Sequence, residues 1–268
     1  MKKIRLVVLL SIFLIAPVLA HDLFLKLDNY FVKPGEKISI KILNGSFEKS
    51  EAAVSFERLA DVSVIAPAGG RSKLAASDIT KDNKTAYLNF QPSETGTYVA
   101  GLSTMPREIE LSGKDFNGYL SHDGIPDTLA ERRAKKELGK AVRERYSKHV
   151  KIIFQTGDTR TDSYSERFGY PVEIVPVQNP YLAKVGDTLD FLCLKDGQPI
   201  VNQFVMTGRD NGKVIRAGAN VRTDKNGIAK IKLSAPGKWY VKFINMRPLT
   251  EANLNYESKW ASLSFAVK

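Results

Sequence analysis

Histidine is scarce in this chain: His21, His122 and His149 are the only three in 268 residues. The first stands directly after PVLA, a run that reads as the end of an export signal. Lys2, Lys3 and Arg5 give its positive start, LVVLLSIFLIAPV its apolar middle, and Val18 and Ala20 the small residues that signal peptidase requires. Cleavage after Ala20 would make His21 the first residue of the mature protein. A free α-amino group titrates at about 8. Together with its own imidazole, it offers a metal two nitrogens from one residue. Borderline ions such as Ni(II), Co(II), Cu(II) and Zn(II) favour nitrogen.

A second imidazole across the site would complete a T-shaped histidine brace. His122, in GYLSHDG, and His149, in the basic segment further on, are the two candidates, and Asp22 and Asp123 could add carboxylate oxygens. The candidate metal ligands are therefore His21, Asp22, His122 and His149. Each histidine also has an ordinary structural explanation. His21 could simply follow the cleavage site by chance, His122 could be an exposed turn residue, and His149 a helix residue bonded to a carbonyl. A metal held at the third position of the terminus is excluded, because that position is Leu23.

Other chemistry has little to stand on. The sequence contains no HExxH, no CxxC pair, no Walker loop and no GxSxG elbow, so no enzymatic activity is expected. Cys193 is the single cysteine, so the fold cannot rest on an internal disulfide, and its place in LDFLCL reads as a buried strand thiol. The formal charge of +11 falls to +8 once Lys2, Lys3 and Arg5 are set aside. Most of the excess lies in 131–151, which holds nine Lys or Arg against three Glu. A solvated helix face explains that better than nucleic acid, which an exported protein does not ordinarily meet. No later segment is long and apolar enough to span a bilayer.

The elements that must position these residues are mostly strands. YFVKPGEKISIKI (30–42) and YLAKVGDTLDFLC (181–193) share a pattern of aromatic, apolar run, basic residue, Gly turn, acid and alternation. ETGTYVAGL (94–102) and APGKWYVKF (235–243) also match, which marks a distant internal repeat. A Gly turn followed by such alternation is typical of the last core strand of an immunoglobulin-like or prealbumin-like sandwich. TDKNGIAKIKL (223–233) predicts a hairpin with a type I′ turn at Asn226-Gly227. Trp239, Tyr240 and Trp260 fall in strand-like contexts and read as core. Between the halves, Thr128 and Glu131 form a capping box, and Ala134, Leu138, Ala141, Val142, Tyr146 and His149 recur at helical spacing. That predicts one helix from Thr128 to about His149. The Tyr and Arg of RERY (143–146) would pack it on a sandwich or line a polar pocket beside the terminus.

Several blocks in their order also resemble a known family. They are AHDLFLKL at the mature start, FNGYLSHDGIPD (116–127), RERYSKHVKIIFQTG (143–157), FGYPVEIVPVQNPYLAKVGDTLDFLCLKDGQPI (168–200), TDKNGIAKIKLSAPGKWYVKF (223–243) and YESKWASLSF (256–265). Together they resemble the DUF4198 family of bacterial exported proteins, loosely described as a periplasmic component of nickel or cobalt uptake. The resemblance implies a periplasmic, mostly β protein working with an outer-membrane receptor or a membrane transporter. The family start matches Ala20, His21, Asp22 and Phe24.

The expected architecture is a signal peptide (1–20), an N-terminal β-sandwich (21–112), a helical connector (113–155) and a C-terminal β-sandwich (156–268). The expected function is periplasmic binding of Ni, Co or Cu at the terminal histidine, in support of metal uptake. Two alternatives remain: an adaptor that presents loops to a glycan or an outer-membrane receptor, and a copper enzyme of the histidine-brace type.

Overall fold

The computed structural model describes residues 21–251 and 253–268. The expected signal segment, 1–20, lies outside them. The main strands of the first half are β1 (Asp22–Lys26), β2 (Ile38–Gly45), β3 (Leu59–Ile65), β4 (Ala86–Phe90), β5 (Gly96–Thr104) and β6 (Arg107–Leu111). Two helices follow, α1 (Gly113–His122) and α2 (Pro126–Ala134), and then the long strand β7 (Val142–Thr156). The second half contributes β8 (Val172–Pro176), β9 (Thr188–Lys195), β10 (Phe204–Asp210), β11 (Ile228–Lys232), β12 (Gly237–Pro248) and β13 (Tyr256–Val267). The protein is mainly β and built by packing sheet on sheet, as its alternating apolar runs predict.

One large sheet runs through the whole molecule, in the order β10-β12-β13-β7-β5-β3, with short strands added at its edges and others, β6 among them, paired to β7. Its neighbours are antiparallel except at the centre, where β7 and β13 run parallel from Glu144↔Tyr256 to Ile152↔Ser264. Successive strand residues face opposite sides of a sheet, and both sides are covered here. Val150, Ile152 and Phe154 of β7 meet Leu25, Ile40, Ile42 and Leu88 of a sheet built on β1-β2-β4. Ile153 of β7 joins Ile174, Phe191, Cys193 and Ile231 of a sheet built on β8, β9 and β11. Cys193 is thus a fully buried strand thiol. Trp239 and Trp260 are both core residues.

The internal repeat has a direct structural meaning. Each half lays three strands into the central sheet, meeting at β7 and β13, and folds a small sheet of its own over one face. β2 sits between β1 and β4 as β9 sits between β8 and β11. Because the two small sheets cover opposite faces, the halves are related by an approximate two-fold axis lying in the sheet and parallel to its strands. The matching turns agree closely. Gly96 opens β5 at φ +143° and Gly237 opens β12 at φ +140°, a region that favours glycine. A Cβ on either would also meet Pro67 or the Asp210 carbonyl within 2.4–2.6 Å.

The long connector helix is corrected. α2 begins at Pro126, not at a Thr128 cap, and ends at Ala134. Lys136 then turns left-handed at φ 58°, and the Glu137 N–H reaches back to the Arg132 carbonyl, a Schellman-type stop. From Val142 the chain is strand, so 113–155 is not a separate helical connector. Its second part is the central strand shared by both sandwiches. The hairpin at 223–233 is corrected too. Only Gly227 has positive φ there, and the Asp224 carboxylate accepts the Asn226 and Ile228 N–H groups. The flanking segments pair elsewhere: Val221–Arg222 with β10, and β11 with β9. No helix among the described residues is long and apolar enough to cross a membrane.

Candidate functional site

His21 sits at the head of β1, the edge strand of its sheet. β1 is fixed on its far side by β2, with Asp22 opposite Gly45. On its near side, alternate carbonyls accept hydrogen bonds from side chains of the central sheet. Lys148 donates to the His21 carbonyl, Ser262 to Leu23 at 2.8 Å and Ser264 to Leu25 at 2.5 Å. An edge that would otherwise expose unpaired carbonyls is thereby held, and His21 with it.

The imidazole has a partner that the sequence reading missed. His21 Nε2 lies 2.5 Å from Glu51 Oε2, with both side chains part-exposed. Glu51 reaches it because the chain after β2 folds tightly back. The Glu51 N–H bonds the Asn44 carbonyl at 2.9 Å, and a Cβ on Gly45 would stand 2.4 Å from the Lys49 carbonyl oxygen. Glycine at 45 is what lets this loop close.

Asp22 and Asp123 do come together, but around a lysine. Lys242 of β12 is buried and places Nζ 2.5 Å from Asp22 and 3.1 Å from Asp123. These carboxylates hold the ammonium well above the usual lysine range, while burial raises the Asp123 carboxyl. His122, the neighbour of Asp123, stays exposed at the end of α1. His149 is not a helix residue and does not face His21. On β7 it lies on the opposite face from Lys148, with ring nitrogens 2.8 Å from Ser103 Oγ and 3.0 Å from Ser147 Oγ. Burial pushes it down to about 4, so it is neutral and structural. Among the described residues, no group of three or more His, Cys, Asp or Glu side chains is placed to hold a metal.

Beneath the terminus lies a buried polar chain. Glu144 of β7 is fully enclosed and accepts hydrogen bonds from Ser258 and, at 3.2 Å, from Tyr119 of α1. Trp260 donates to Ser258 at 2.9 Å and stacks on Tyr119 with centroids 5.5 Å apart. The Lys148 ammonium lies 5.3 Å from the Trp260 ring centre. Burial drives Glu144 up to about 7 and Lys148 down to about 8. A lysine at the parity of Val150 and Ile152, and another at the parity of Ile244, were signals in the sequence. Each places a charge where the alternation calls for an apolar residue.

Comparison with solved structures finds distant likenesses. The D0-D1 domain of intimin is 15% identical, with 91% of this chain and 97% of that chain covered at a TM-score of 0.22. A Salmonella alpha-2-macroglobulin variant is 11% identical, with 95% and 15% covered at a TM-score of 0.26. A tetra-tandem repeat from a large adhesion protein is 11% identical, with 92% and 49% covered at 0.22. At these scores the likenesses carry no argument about what the chain does. A comparison with curated proteins finds no match. The family model described as "Domain of unknown function (DUF4198)" matches residues 18–247, most of the chain, and the protein belongs to that family.

Proposed function

We infer that this chain is exported, is cut after Ala20, and then carries a transition-metal ion, Ni(II), Co(II) or Cu(II), at the His21 terminus for a metal-uptake partner. The observation that supports this reading is the Glu51 carboxylate on His21 Nε2. A carboxylate at one ring nitrogen fixes the proton there and leaves the lone pair on the other. The nitrogen left free is Nδ1, the one that closes a six-membered chelate ring with the residue's own α-amine. The Lys148 bond to the His21 carbonyl and the Lys242 bridge to Asp22 hold the backbone that carries both donors.

Two nitrogens fill only part of a coordination sphere, and water or the partner supplies the rest. Such a site exchanges its ion readily, which suits delivery better than storage. Glu51→Ala, an exposed change that leaves the core untouched, is expected to weaken Cu(II) binding about tenfold in protein beginning at His21. Titration followed by visible absorption reads this. Unchanged affinity would remove Glu51 from the account and with it the main support for the chelate.

A further inference from the structure

A cavity of about 230 Å³ opens beside the terminus, between the β1–β2 end of the small sheet and the central sheet. Three cationic side chains line it: Arg58, at the end of the short turn Phe56–Arg58, Arg107, at the start of β6, and Lys148 of β7. Asn44, Ser55 and Tyr146 add neutral polar groups, and no Asp or Glu is in the lining. Tyr146 thus lines a polar pocket, one of the two roles open to it from sequence.

No carboxylate lines the cavity to match these charges. Among the described residues, Arg58 and Arg107 make no ion pair, and Lys148 bonds only the neutral His21 carbonyl. Burial and the neighbouring Arg107 both disfavour the charge on Arg58. Like charges gathered in a partly desolvated lining that holds no carboxylate repel one another, and a bound anion relieves the repulsion.

We propose that this cavity binds a small multivalent oxyanion through Arg58, Arg107 and Lys148. Guanidinium groups present paired N–H donors that match the two oxygens of a carboxylate or phosphate. Lys148, Tyr146 and Arg107 stand on strands of the central sheet and its β6 neighbour, so the donors are pre-positioned. The volume suits inorganic phosphate or a compact tricarboxylate. Anion binding here requires no metal, and it is measured with none added.

Citrate and inorganic phosphate, titrated separately into the protein by calorimetry at low ionic strength, distinguish the two sources of this chemistry. At least one is expected to bind at one equivalent, and the affinity is expected to fall as salt is added. Arg107→Gln, an exposed change, is expected to weaken that binding at least tenfold. Arg222→Gln removes a positive charge at a distant surface ion pair and is expected to leave it unchanged. No heat from either anion at millimolar concentration, or equal loss in both variants, would overturn the proposal.

Discussion

Replacing Lys151 by methionine is expected to lower the unfolding free energy by roughly 3–5 kcal/mol at neutral pH. Lys151 lies on the face of β7 that looks toward the β8-β9-β11 sheet. Its Nζ is 2.8 Å from Glu173 Oε1, and both side chains are only 2% exposed. Glu173 also accepts the Phe168 N–H at 2.7 Å and the Gly169 N–H at 3.2 Å. The methionine removes the counter-charge and leaves those two dipoles to hold a buried carboxylate. The cost is therefore that of stranding a charge, not of losing one surface bond. The double variant Lys151→Met/Glu173→Gln is expected to recover most of the loss, since no unpaired charge remains. Chemical denaturation of the three proteins measures this. A single-variant loss below about 1 kcal/mol, the range of an exposed pair, would contradict the buried assignment.

The second large effect concerns pH and Glu144. Burial holds this carboxyl up to about 7, against an ordinary value of 4.5. The folded state therefore keeps a proton that the unfolded chain gives up first. The resulting stability is fully present below pH 4.5 and is lost as pH rises through 7, by an amount on the order of 3 kcal/mol. Glutamine at 144 keeps an acceptor for Ser258 and Tyr119 but does not titrate. Stability of Glu144→Gln relative to the parent is thus expected to rise between pH 5 and pH 8 by about that amount. Because the difference between the two proteins is read, titrating groups that do not interact with Glu144 cancel. A difference that stays flat across the window would show that Glu144 ionises normally.

Glu144 and Lys148 also explain why β7 was hard to see in the sequence. Val142, Val150, Ile152 and Phe154 share one strand face, but two buried charged residues interrupt it. Their alternation was hidden, and the three- and four-residue spacing of Ala134, Leu138, Val142, Tyr146 and His149 looked helical instead. Strands without buried charge, such as β2, β5 and β9, were legible from period-two alternation. The repeat was legible because its turn glycines are required by positive φ. The candidate site was legible only in part. His21 could be singled out by its place after Ala20, and Asp22 and Asp123 do meet. Glu51 carries no local signal, because the contact depends on how the loop after Gly45 folds back. The placement of His149 changes with that of β7: on a strand, not a helix, its ring faces away from His21.

On the proposed function, cleavage after Ala20 creates the metal ligand. This is tested most directly by calorimetry on protein beginning at His21, compared with the same chain acetylated on the His21 nitrogen. Acetylation removes the amine donor and leaves the imidazole, Glu51 and the rest of the fold in place. With Ni(II) and with Cu(II), the free terminus is expected to bind one equivalent, and the acetylated one at least tenfold more weakly, a difference of about 1.4 kcal/mol or more. Equal affinities for both ions in the two proteins would contradict the terminal chelate.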